Sequence, residues 1–155
     1  YKNIWHHGDF AKITKNDGFV IYGRSDTTLN PGGVRLGTAE IYSIVDKFKE
    51  IEESIVIGQS WKNDIRIILF VVLNRGYTLS EKVKNRIKLA IRNSASPRHV
   101  PSKIISIKEI PKTKNGKLVE LAVKQSIEGD KIKNLEALAN PDSLKQFIRI
   151  KELNE

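Results

Sequence analysis

A lysine held at the end of a tight turn is a movable positive charge, and PKTKNGK, Pro111 to Lys117, presents one. Proline closes an extended run, glycine permits the reversal, and Lys117 is delivered to the start of the next element. Its ammonium is compact, carries three donors, and suits a carboxylate or a phosphate. A basic surface turn is the plainer reading of the same residues. A second stretch, IYGRSDTTLNPGGVRLGTAEIY at 21–42, holds four glycines and two arginines ahead of a helical pattern. Gly32 and Gly33 leave the backbone bare, which serves either an unusual turn or the close approach of a ligand. Arg24 and Arg35 cannot lose their charge and suit phosphate or ribose contacts. Asp9 follows Gly8; a carboxylate there can accept both hydroxyls of a ribose, or Gly-Asp can simply turn the chain.

Other chemistries are poorly supplied. Cysteine is absent, so there is neither a disulfide framework nor a thiolate metal site. His6 and His7 are adjacent, so along a strand they face opposite sides, and only His99 remains elsewhere. No metal site is expected. The Walker and Rossmann glycine spacings are missing, and no Ser-His-Asp arrangement is suggested.

These residues need elements to position them. FAKITKNDGFVIY, residues 10–22, reads as a hairpin turned at Asp17-Gly18. A helix capped by Thr38 should carry Ile41, Ile44, Val45 and Phe48 on one face. ESIVIGQSW and IRIILFVVL read as adjacent strands joined by KND, the second apolar throughout and therefore central. Ser80 should cap a helix striped by Val83, Ile87, Ala90 and Ile91, which SPRHVP stops. KIISIKEI reads as a further strand, and the spacing predicts a helix from Lys117 to about Ile127. Asn140-Pro141-Asp142 reads as a capped helix start. Strands and helices mixed without regular βαβ repetition predict an α+β fold, a small β-sheet flanked by helices.

The chain has 155 residues, which suits one domain, or one domain with a fragment of a neighbour. It begins on tyrosine and contains no methionine, so it reads as a piece of something longer. The longest apolar run, Ile67 to Leu73, is strand-sized, so no membrane partner is expected. A net charge of +9 favours anionic partners and raises a rival reading, a basic nucleic-acid-binding module. That module needs aromatics interleaved with basic residues, and Trp5, Trp61, Tyr22 and Tyr42 do not cluster, so no nucleic acid is expected.

Taken in order and spacing, the GD at Gly8-Asp9, YGRSDTTLNPGGVRLGTAEI and PKTKNGK resemble the C-terminal part of the adenylate-forming acyl-CoA synthetases. The resemblance covers essentially the whole chain. Within that family SPRHVP, GKLVELAVK and ANPDSLKQF look closest to the acetoacetate-activating branch. The resemblance implies a mobile C-terminal lid at 24–155 behind the last hairpin of a large N-terminal domain at 1–23. It implies that Asp9 and Arg24 hold the ribose of ATP or AMP, and that Arg35 lies near the nucleotide phosphate. Asp26 would be the hinge, Gly32 and Gly33 would line the CoA tunnel, and Lys117 would act in adenylation. The implied partners are the chain's own large domain, ATP, CoA and a small carboxylic acid. Mg2+ would accompany ATP, bound mainly by the large domain, and the enzyme would be cytoplasmic. The isolated fragment is expected to be inactive. NPGGVR and the Glu120-Leu121 pair depart from the acetyl-CoA synthetase pattern, which points away from acetate, and a related short-chain ligase for acetate or propionate is the alternative within the family.

Overall fold

Alternating apolar residues and the turn at KNDG produce an antiparallel hairpin, β1 (Asp9–Ile13) with β2 (Phe19–Arg24). The computed structural model describes residues 4, 8–24, 27–132 and 134–154, with Phe10, Tyr22, Gly23 and Arg24 described by backbone alone. Asp17, not Gly18, takes the left-handed conformation in the turn, at φ 55°. One face of the hairpin carries the exposed apolar side chains Ile13 at 64%, Phe19 at 70% and Ile21 at 55% exposure.

The main body follows as α1 (Thr38–Val45), β3 (Ile51–Trp61), β4 (Asp64–Leu73), α2 (Glu81–Ser94), β5 (Lys103–Ser106) and α3 (Glu120–Glu128). Lys62 and Asn63, both at positive φ, join β3 to β4 in the two-residue turn that matches strand twist. β5 returns after α2 to lie parallel to β4, so the sheet order is β3-β4-β5 and the apolar β4 is central. One βαβ crossover is therefore present within the α+β arrangement.

Successive β-strand side chains point to opposite faces, and both faces of this sheet are covered. Val56, Ile67, Leu69 and Val71 pack against Ile41, Ile44 and Val45 of α1 and Val83, Ile87 and Ile91 of α2. Ile55, Ile57, Ile68 and Phe70 pack against Val123 of α3 and against the C-terminal segment through Leu138, Leu144, Phe147 and Leu153. Phe147 meets Phe70 edge-on, with centroids 5.0 Å apart and rings at 84°.

Three local expectations are corrected. Gly37 is the extended residue before α1, so Thr38 lies inside the helix, buried, and caps nothing. α3 begins at Glu120, not Lys117, because Leu118 still pairs with Lys112 across the turn and a paired, extended residue cannot start a helix. Pro141–Phe147 is a 3-10 helix, and the Asn140 side chain does not cap it. Ser80 does cap α2, accepting from the Val83 amide.

Candidate functional site

Lys117 stands on the returning arm of a tight reversal. The Thr113 amide donates to the Lys117 carbonyl at 2.9 Å, and the Lys117 amide donates to Thr113 Oγ1 at 3.1 Å. Gly116, at φ 74°, supplies the left-handed residue that the reversal needs. The Lys117 side chain is exposed and has no ion-pair partner among the described residues. It overlooks a depression of about 560 Å³ whose walls include Leu118, Leu121, Ala137 and Leu138. Apolar walls screen a charge less than water does, so the ammonium acts strongly on an anion placed there.

Glu120, three residues on, is turned to a different task. Its Oε1 accepts the Tyr42 hydroxyl at 2.5 Å, and the same hydroxyl oxygen accepts the Val56 amide of β3 at 3.0 Å. Burial first, then the Glu120 charge, pushes the Tyr42 hydroxyl well above its ordinary pKa near 10, so it stays protonated and keeps donating. One phenol thus ties α1, β3 and the start of α3 together. Nothing local in the sequence marks Tyr42 for this, because its partner lies 78 residues away.

The diglycine is built as a second projecting loop. Buried Leu29 and Leu36 exchange backbone hydrogen bonds at 3.1 and 2.8 Å, which closes the base. Pro31–Gly33 forms the tip, with Gly32 at φ 58° and Gly33 at φ 75°. A Cβ added at Gly33 would meet nothing within 4 Å, so no packing inside the domain requires that glycine to be bare. The Asp64 carboxylate accepts the Gly32 amide at 2.8 and 3.2 Å and its own neighbour Ile65 at 2.7 Å. Chiefly the Gly32 amide, then that of Ile65, holds the Asp64 carboxyl below its usual range. Gly33 faces a shallow depression of about 550 Å³ shared with Ser60, Trp61 and Lys62 of the β3–β4 turn. Trp61 carries the Arg66 guanidinium 3.7 Å from its ring centroid.

The two loops are separate. Glu120, beside the lysine turn, starts α3, and Glu128 ends it by accepting from Ser60 Oγ at 2.8 Å, in the diglycine depression. Eight helical steps at 1.5 Å span about 12 Å. Along β3, the four steps from Val56 to Ser60 span about 13 Å. The lysine turn therefore lies by the Glu120 end of α3 and the diglycine depression by its Glu128 end. Register places Asp9 opposite Arg24 across the hairpin. Arg35 is exposed on the descending side of the glycine loop. Asp26 lies outside the described residues, as do Trp5, His6 and His7. Among the described residues no group of three or more His, Cys, Asp or Glu side chains is placed to hold a metal ion. No described helix is long and apolar enough to cross a membrane.

Known proteins resemble this arrangement. The family model described as the AMP-binding enzyme C-terminal domain matches residues 40–117. An acetoacetyl-coenzyme A synthetase of Rhizobium meliloti (strain 1021) is 55% identical over 153 residues, 99% of this chain and 24% of the relative. The acetoacetyl-CoA synthetase of Gallus gallus is 46% identical over 155 residues, 99% of this chain and 23% of the relative. The solved acetoacetyl-CoA synthetase from Streptomyces lividans superimposes with a TM-score of 0.86 at 38% identity, covering 97% of this chain and 23% of that one. The chain thus spans about a quarter of the length of the curated relatives it matches.

Proposed function

The chain belongs to the AMP-binding enzyme C-terminal domain family, and from that premise we propose that it is the mobile lid of an ATP-dependent acid–CoA ligase. Acetoacetate is the proposed acid. In the first half-reaction the acid's carboxylate attacks the α-phosphate of ATP, forming acyl-adenylate and releasing pyrophosphate. In the second the CoA thiol attacks the adenylate's acyl carbon, forming the thioester and expelling AMP.

The observation that carries this reading is that Lys117, exposed and without an ion-pair partner among the described residues, lies beside the start of α3, while the open diglycine shares its depression with Ser60, which bonds to the end of α3. Carboxylate and α-phosphate repel, and a lysine placed between them stabilises the charge that develops as they join. Once the adenylate exists, that lysine obstructs the thiol. One small centre cannot hold both loops, so the lid turns, with Asp26 as the hinge, and exchanges Lys117 for Gly32-Gly33. The bare backbone at Gly33 then lets the pantetheine arm pass.

On this reading Asp9 and Arg24 hold the nucleotide ribose, and Arg35 lies near its phosphate. Residues 1–23 belong to the large domain, against which the exposed Ile13, Phe19 and Ile21 would pack, and the lid begins at Arg24. Mg2+ would come with ATP on the large domain. The fragment alone is inactive, and the intact enzyme is cytoplasmic. Lys117→Ala in the full-length enzyme tests the assignment. Pyrophosphate release should fall about 10²–10³-fold, while thioester formation from supplied acyl-adenylate stays near wild type. Equal loss in both half-reactions would remove Lys117 from this role.

A further inference from the structure

The lysine turn is braced from outside itself. Its ascending arm pairs with a segment at 137–140: the Lys114 amide donates to the Ala137 carbonyl at 3.0 Å, and the Ala139 amide donates to the Lys112 carbonyl at 2.9 Å. Thr113 and Leu138 form the antiparallel bridge between them. Asn140 completes the brace with its side chain. Its Oδ1 accepts the Lys112 amide at 2.8 Å and its Nδ2 donates to the Ile110 carbonyl at 3.0 Å. Those two bonds straddle Pro111, which has no amide of its own. The brace is itself anchored, because Leu138 and Phe147 are buried in the second core.

The match to the family model ends at Lys117, so this bracing segment lies wholly beyond it. The Gly116 amide donates to the Thr113 carbonyl at 2.8 Å, Lys117 bonds back to Thr113, and Leu118 bridges to Lys112, so the tip and the returning arm hang on the ascending one. The ascending arm is where the turn's orientation is set, and Asn140 grips it on both sides of the proline.

We propose that Asn140 is a positioning residue for Lys117, and that the segment at 137–140 is a splint that pre-orients the lysine turn for adenylation. This rests on the reading of Lys117 given above. A loosened turn still clears the thiol's path but no longer delivers its ammonium to the reacting pair. A displacement of about 1 Å at such a group can cost on the order of a hundredfold in rate.

The test uses full-length enzyme with Asn140→Ala, Asn140→Asp and, as reference, Lys117→Ala. Asn140→Ala should lower pyrophosphate release at least about tenfold, with thioester formation from supplied acyl-adenylate unchanged. Asn140→Asp keeps the acceptor for the Lys112 amide and loses the donor, so its pyrophosphate release should lie between Asn140→Ala and wild type. Hydrogen exchange at the Lys112 and Lys114 amides should quicken in Asn140→Ala while β4 stays protected. Equal loss in both half-reactions, or unaltered pyrophosphate release whatever the exchange shows, overturns the proposal. If Asn140→Ala does not fold, Asn140→Asp carries the same test, and a wild-type rate in it overturns the proposal. Where Lys117→Ala separates the half-reactions and the Asn140 variants do not, the splint alone falls; where Lys117→Ala does not separate them, the role of Lys117 falls first.

Discussion

Gly33→Ala separates a glycine kept for its backbone angle from one kept bare for a visitor. At φ 75° an alanine is strained, by about 1–2 kcal/mol. Stiffening the unfolded chain returns about 0.4–1 kcal/mol of that. No steric term is added, because the new Cβ would have no atom within 4 Å. The net loss of stability is therefore about 0–1.5 kcal/mol, or no more than about 6 °C in Tm for a domain of this size. Function should respond on another scale. A methyl group stands out by about 1.5 Å from a backbone that the pantetheine arm must pass, and a misfit of that size is worth on the order of a hundredfold. The assay is thioester formation from supplied acyl-adenylate in the full-length enzyme, read beside pyrophosphate release and a melting curve. Thioester formation should fall about a hundredfold while pyrophosphate release holds. A thioester rate within about threefold of wild type, or matched losses in both half-reactions, would refute the reasoning.

Gly58 should behave in the opposite way, since its added Cβ would lie 2.8 Å from Ile65 Cγ2. Gly58→Ala should lower the Tm by several degrees, about 1–3 kcal/mol of overpacking, and depress both half-reactions together. Tyr42→Phe strands the buried Val56 amide and should cost about 2 kcal/mol, seen as a Tm about 4–8 °C lower. Because the Tyr42 pKa is raised on folding, its contribution is whole below pH 10 and is lost as pH rises beyond that, so the wild-type melting curve should decline at alkaline pH more steeply than that of Tyr42→Phe. The Asp64 carboxyl is shifted the other way, so its contribution is present above about pH 4 and fades as pH falls below the ordinary carboxylate range. The Tm gap between wild type and Asp64→Asn should close on acidification, and a gap constant with pH would deny the Gly32 contact its role. Phe147→Ala removes a fully buried ring and should destabilise by about 3–5 kcal/mol in a denaturant titration.

Much was legible in the chain itself. Two apolar runs on either side of the short polar turn KND located β3 and β4, and the unbroken run at Ile67 to Leu73 marked the central strand, because a strand covered on both faces tolerates such a run. Glycine and proline located both projecting loops, since φ beyond zero and a missing amide are properties of the residue and not of its surroundings. The family followed from those same loops in their order. Tertiary contacts decided what those properties could not. Thr38 has the side chain of a cap and became core; Asn140 has the composition of a cap and became a brace on a turn some thirty residues earlier. Glu120 read as a departure from a pattern and proved to be the acceptor for a buried phenol on another helix. In each case a polar side chain had several hydrogen-bonding choices of similar strength within reach. Local sequence ranks such choices poorly, and packing at long range selects one of them.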